Sequence, residues 1–216
     1  MAITLYYGSG SPYAWRVQLA LEAKRLPYER RVLSFSAGDT RKPEFVRLNP
    51  RHRVPTIVDD GFVLYESNAI VEYLDEVYAS QGTRLFPGDA RTRATVRRIV
   101  SEVDGYTTEA VDALVEELLY RKAEARDAEK LERARAAVAE EFAFLTRYLE
   151  GDFLAGPLSA ADFALYPCVK FMDRCHQRVP AFDAALLLPP ALAAWKARIE
   201  ALPYVADTFP PHWRES

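Results

Sequence analysis

The chain is poor in the residues that would tie it to a metal, a disulfide framework or a nucleic acid. Only two cysteines, Cys168 and Cys175, occur among 216 residues. They stand seven apart on what reads as one helix, so they share a face without forming a disulfide or a Cys-x-x-Cys pair, and core thiols are the expected role. The three histidines, His52, His176 and His212, are scattered and lack paired ligand spacing, so no metal site is expected. An excess of positive charge is also missing. A net charge of -3 and a pI near 5.7 give no general attraction to nucleic acid or to an anionic membrane, and neither is expected as a partner. No charged-then-apolar leader opens the chain and no apolar run reaches the roughly 20 residues that span a bilayer, which predicts a cytosolic protein. Internal repeats and low-complexity tracts are not found.

Apolar residues make up 50% of the chain, enough for one large domain or two small ones with a sizeable core. The first third mixes strand and helix signals. Residues 2–7 are β-prone and are broken by Gly8-Ser9-Gly10. Ser11-Pro12, serine at the cap and proline at the first helical position, opens a helix that stops near Pro27. Tyr28 to Phe35 predicts a second strand, and Pro43 to Leu48 a short helix ending at Asn49-Pro50. Ser80 to Asp89 lacks periodicity and reads as a linker. Helical spacing then runs from Asp89 to about Tyr120 and from Ala128 to about Glu150. Ser159-Ala-Ala-Asp162 has the form of a capping motif, and a last helix around Pro190 to Leu202 precedes an aromatic tail, Tyr204, Phe209 and Trp213. The division is therefore 1–81 for an α/β domain, 82–88 for the linker and 89–216 for an all-helical domain.

Residues 53–78 organise the first domain. Thr56 to Asp59 and Phe62 to Tyr65 read as strands joined by Asp60-Gly61, a dipeptide suited to the positive φ of a tight hairpin. A helix follows at once, with Ser67 as the expected N-cap and Ile70, Val71 and Leu74 at helical spacing. Its free N-terminal amides are positioned to hold a small anion.

An α/β domain followed by a helical one, carrying Val54-Pro55-Thr-Ile, Glu66-Ser67-Asn-Ala-Ile-Val-Glu-Tyr-Leu and Ser159-Ala-Ala-Asp162, resembles the cytosolic glutathione transferases over nearly the full chain. The resemblance implies an α/β thioredoxin-like N-terminal domain that binds glutathione, an all-α C-terminal helical bundle that contributes the electrophile site, and a homodimer. Glutathione is then a co-substrate, and no further cofactor is implied.

The resemblance also implies roles. A cis Pro55 leaves Val54 to pair with the cysteinyl part of glutathione as a strand does. Ser67, at the positive end of its helix, holds the γ-glutamyl carboxylate while Glu66 accepts from the amine. Arg41, His52 and Arg53 are the matching positions for the glycyl carboxylate, although Arg53 replaces a glutamine common there. In the serine-type classes (tau, phi, theta and zeta) a serine opening the first helix donates to the glutathione sulfur, and Ser11 matches it, with Arg16 one turn on as a nearby cation. Ser9, Tyr6 and Tyr7 are the alternative donors. Pro12 and Tyr13 replace the second serine and the cysteine of the zeta pattern, which speaks against maleylacetoacetate isomerisation. Tyr13, Tyr106 and an aromatic residue of the tail are expected to wall an apolar electrophile. A non-catalytic ligand carrier and a glutathione-dependent peroxidase are the competing functional readings.

Overall fold

Strand β1 (Ile3–Tyr7) buries Ile3 and Leu5 on one face in the two-residue alternation of a half-buried strand. The computed structural model describes residues 3–149 and 151–214; Ala2 and Glu150, at the ends of two expected elements, lie outside them. Contacts divide the chain into two units, one running to Phe86 and rejoined from Tyr204, the other Pro87–Pro203.

In the first unit the sheet order is β2-β1-β3-β4. Strand β2 (Tyr28–Val32) is parallel to β1, while β3 (Thr56–Asp59) is antiparallel to both β1 and β4 (Phe62–Tyr65). The hairpin has the expected boundaries, and its turn residues Asp60 and Gly61 have φ of 49° and 85°, both positive as a type I′ turn requires. β2 ends three residues before the expected Phe35. The Ser34 amide donates to the Asp39 carboxylate at 2.8 Å instead of continuing the ladder, so the edge strand peels away.

Helix α1 (Pro12–Ala23) packs on α3 (Ser67–Val77), and a short α2 (Pro43–Val46) lies between them in sequence, two residues shorter than expected. Ser11 caps α1 as predicted. Ser67, however, is not the cap of α3: it is the first helical residue, and Glu66 occupies the cap position with φ 73° and ψ 111° and no side-chain cap bond. The cause is the hairpin register, which pairs Tyr65 with Thr56 and leaves one residue to turn the chain from strand to helix. At the far ends of α1 and α3, Lys24 Nζ meets Asp75 Oδ1 at 3.1 Å with both side chains buried. Asp75 also receives the amides of Leu85 (2.7 Å) and Phe86 (3.2 Å), which fastens the end of the unit to its helices.

The aromatic tail belongs to this first unit rather than following the helical residues before it. Helix α9 (Val205–Thr208) is tied down by Trp15 Nε1 donating to Thr208 Oγ1 at 2.8 Å. Phe209 and Trp213 each stand edge-on to Trp15 with ring centroids 5.6 Å apart.

The second unit is helical. Asp89 caps α4 (Ala90–Glu102), which continues through a π-turn at Val103–Thr107, α5 (Thr108–Val115) and a second π-turn at Glu116–Tyr120, matching the long helix expected to end near Tyr120. Asp127 caps α6 (Ala128–Leu145); α7 (Ala160–Arg178) and α8 (Pro190–Glu200) complete the bundle. Ile99, Leu114, Val138, Phe142, Leu165 and Trp195 are fully buried among these helices. Asp162 returns to the cap of α7 as expected, accepting the Ser159 amide (2.8 Å) and hydroxyl (3.1 Å), and it also takes Trp195 Nε1 at 2.8 Å. Burial pushes its carboxyl up to about 6 against these donors. Cys168 and Cys175 are free and buried on α7, and burial pushes the Cys175 thiol up to about 12. Among the described residues no helix is long and apolar enough to cross a membrane. The chain is thus an α/β thioredoxin-like unit joined to an all-helical one.

Candidate active site

The sheet register gathers the N-terminal site residues at one end. Tyr6 of β1 pairs with Thr56 of β3, and Thr56 pairs with Tyr65 of β4. The loop from β1 to α1, the Val54-Pro55 turn before β3 and the Glu66-Ser67 junction after β4 therefore all leave the sheet from the same end.

Ser11 begins α1 with extended backbone, φ -69° and ψ 122°, and its Oγ accepts the Ala14 amide at 3.3 Å. A serine hydroxyl has one proton and two lone pairs, so this cap uses acceptor capacity and leaves the proton to donate elsewhere. The preceding turn is closed by the Ser11 amide donating to the Gly8 carbonyl at 3.0 Å. Its backbone favours glycine at position 10, where φ is positive. A Cβ on Gly8 would lie 2.3 Å from Phe35 Cζ, and Gly10 has φ 85°, where a Cβ would stand 3.3 Å from His212 Cε1 and from Trp213 Nε1. Ser9 Oγ is 3.1 Å from His212 Nδ1. Tyr7 lines a small cavity of about 40 Å³ beside Ser9 and Ser11, whereas the Tyr6 ring packs 6.0 Å from Phe45.

Arg16 is 2% exposed. Its Nη1 donates to Asn68 Oδ1 at 2.7 Å and its guanidinium lies 5.1 Å from the Tyr13 ring centroid. It braces the first turn of α1 against the first turn of α3, placing a buried cation one turn from Ser11.

Val54-Pro55 is a cis peptide bond, as the resemblance implies. Asn49, 2% exposed, organises the turn before it: its Nδ2 donates to the Arg53 carbonyl (2.8 Å) and to Thr56 Oγ1 (3.1 Å), while its Oδ1 accepts the Arg51 amide at 2.9 Å. His52 has φ 57°, and its Nδ1 lies 3.2 Å from the Thr40 carbonyl, which can only accept, so that nitrogen carries the proton. This bond draws the turn at Asp39–Arg41 toward His52 and Arg53, and Arg41, His52 and Arg53 are all exposed.

At the start of α3, Ser67 is 7% exposed and stands in the first turn, while the Glu66 side chain is exposed. The Glu66 backbone lies in a region disfavoured for L-residues, a cost of roughly 1–3 kcal/mol. Strand pairing at Tyr65 and the Ile70 amide, 2.9 Å from the Glu66 carbonyl, hold it there. In the second unit Tyr106 is exposed in the first π-turn and borders a groove of about 520 Å³ floored by Ala110, Ala113, Ala134 and Ala137.

Motif reading did not anticipate Asn49, Asn68, the backbone of Glu66 or His212. Asn-Pro at 49–50 was visible only as a helix stop, and the others carry no local signal. Two helix N-termini at one end of a sheet, one with a hydroxyl whose proton is available and one with buried Ser67, plus an exposed cation cluster, suit a ligand with a thiol and two carboxylates.

Known proteins match this pattern. Residues 10–77 match the family model for the glutathione S-transferase N-terminal domain and residues 128–198 that for the C-terminal domain. A glutathione S-transferase of Drosophila melanogaster is 34% identical over 79% of this chain and 75% of its own. A probable maleylacetoacetate isomerase of Vibrio cholerae is 32% identical over 97% of this chain and 96% of its own. The crystal structure of a glutathione S-transferase from the Antarctic clam Laternula elliptica superposes with a TM-score of 0.83 at 30% identity, covering 100% of this chain and 95% of that one. By its sequence, its two domains and its fold, the chain belongs to the cytosolic glutathione S-transferase family.

Proposed function

We propose that this glutathione transferase is of the serine type and conjugates glutathione to an apolar electrophile, with Ser11 donating to the sulfur. The observation that carries this reading is the Ser11 hydroxyl, which accepts from Ala14 and keeps its proton for a thiolate. A free thiol of pKa about 8.5 is mostly protonated at neutral pH, and each unit of lowering stabilises the thiolate by roughly 1.4 kcal/mol. The α1 N-terminus and the buried Arg16 cation push in the same direction. The thiol proton leaves to solvent, the sulfur forms a bond to the electrophilic carbon, and the leaving group departs with the bonding pair.

In this reading Val54 and Pro55 align the peptide, Glu66 and Ser67 take the γ-glutamyl end, and Arg41, His52 and Arg53 take the glycyl carboxylate. Tyr13 contacts the electrophile. The protein works as a homodimer in the cytosol: exposed Phe62 and Val77 offer apolar surface to a second copy. The test compares the ultraviolet absorbance of bound thiolate in Ser11→Ala and Tyr6→Phe. Loss in the serine variant alone supports the assignment, and unchanged absorbance there sinks it.

The Vibrio cholerae relative favours a second reading, glutathione-dependent cis-trans isomerisation, in which the thiolate adds to a double bond, rotation follows, and the sulfur is expelled unchanged. Pro12 and Tyr13 argue against it. Turnover of a cis-enone diacid with no consumption of glutathione would establish it.

A further inference from the structure

We propose that His212 is a positioning residue for the sulfur-activating loop, acting through Ser9, so that the strap formed by residues 204–214 is part of the machinery that ionises glutathione. The proposal rests on the reading of this loop as the donor to sulfur.

The loop needs external support. It holds two glycines within four residues, and the left-handed Gly10 immediately precedes Ser11, so its own sequence restrains the Ser11 hydroxyl weakly. Phe35 closes one side of it over Gly8, and the strap closes the other over Gly10. The strap is itself anchored in the core of the first unit. Trp15 Nε1 donates to Thr208 Oγ1 at 2.8 Å, Arg30 Nη1 donates to the Asp207 carbonyl at 3.4 Å, and Phe209 and Trp213 stand edge-on to Trp15. His212 is thus presented from a fixed support, and its Nδ1 is 3.1 Å from Ser9 Oγ, a contact spanning 203 residues of sequence. Ser9 lies two residues before Ser11 in a turn closed by the Ser11 amide on the Gly8 carbonyl, so displacing Ser9 displaces the donor.

The energetics separate this role from a structural one. A hydrogen bond between exposed groups adds little to folding. Proton donation to sulfur is far more sensitive to placement, since a misplacement of about 1 Å can cost around a hundredfold in rate.

The test measures the apparent pKa of the bound glutathione thiol by thiolate absorbance, with kcat and KM, in Ser9→Ala, His212→Ala, His212→Asn and Ser9→Ala/His212→Ala. His212→Ala should melt with the wild type and raise the thiol pKa by about half a unit, leaving about threefold less thiolate at a pH below it. Its kcat should fall about threefold with the glutathione KM unchanged. Asparagine, which puts a polar atom near the place of Nδ1, should restore both, and the double variant should be no worse than either single one. An unchanged thiol pKa in His212→Ala overturns the proposal, as does an additive double variant or an asparagine variant as impaired as the alanine one. Ser11→Ala, measured alongside, judges the reading beneath it separately. If Ser11→Ala raises the thiol pKa while His212→Ala leaves it unchanged, the His212 proposal fails and the Ser11 reading stands; if Ser11→Ala leaves it unchanged, the reading beneath the proposal fails.

Discussion

Helices α1 and α3 leave the same end of the sheet, and each has a serine at its start, yet the two serines are placed differently. Ser11 is a true cap: its backbone is extended and its hydroxyl accepts the Ala14 amide. Ser67 is already helical, and the cap position is filled by Glu66, which contributes no side-chain bond. A capping serine satisfies its helix and retains one proton, which fits it to donate to a single atom such as sulfur. Where the cap makes no side-chain bond, the amides of the first turn remain for a ligand, which fits the site to a carboxylate with several oxygens. The same residue type at the same end of the sheet thus offers a proton donor in one place and an anion cradle in the other.

The two helices share an anchor at their other ends, and breaking it should have the largest effect. Replacing Asp75 with alanine leaves Lys24 buried without its partner and removes the acceptor of the Leu85 and Phe86 amides. A loss of roughly 3–5 kcal/mol is expected, read as a lower urea midpoint, with kcat and glutathione KM both worsening because both N-termini move. Ser11→Ala should separate them. Removal of one oriented donor is expected to lower kcat about a hundredfold, with the bound thiol moving back toward about 8.5 and the glutathione KM nearly unchanged. Ser67→Ala should do the reverse, raising KM about tenfold, the scale of one hydrogen bond to a charged group, with kcat at saturation preserved. Equal effects of both variants on kcat would erase the distinction.

The hairpin was legible to the residue, because turn chemistry and strand alternation are local properties that Asp60-Gly61 and its flanks display directly. The cap of α3 was not. A serine before an apolar helical pattern reads the same whether it caps or begins the helix, and the difference lies in the φ of Glu66, which the register with Thr56 imposes. Strand β2 ends short of the expected Phe35 because its end depends on Asp39, several residues away in the next turn, capturing the Ser34 amide. The tail follows the helical residues in sequence yet belongs with the first unit. Its partner, Trp15, lies 193 residues before Thr208, and no local pattern records such a contact. The identities of the candidate site residues were thus open to motif reading, whereas Asn49, Asn68 and His212, which hold those residues in place, were not.

The smallest effect should come from the exposed cations, and it sharpens the contrast with the cradle at α3. Arg41 lies at the end of a short turn that the Thr40 carbonyl links to His52, and its side chain is exposed. Its attraction for a glycyl carboxylate is therefore screened by water and salt, unlike that of the buried start of α3. Arg41→Ala should raise the glutathione KM about two- to threefold at low ionic strength, in keeping with the modest value of an exposed ion pair, and have almost no effect in about 0.5 M salt. The tenfold effect of Ser67→Ala should survive the same salt, because amides and a buried hydroxyl act at hydrogen-bond range. If the Ser67→Ala effect faded with salt as the Arg41→Ala effect did, both ends of glutathione would be held by long-range charge, and the α3 N-terminus would lose its role as the specific anion site.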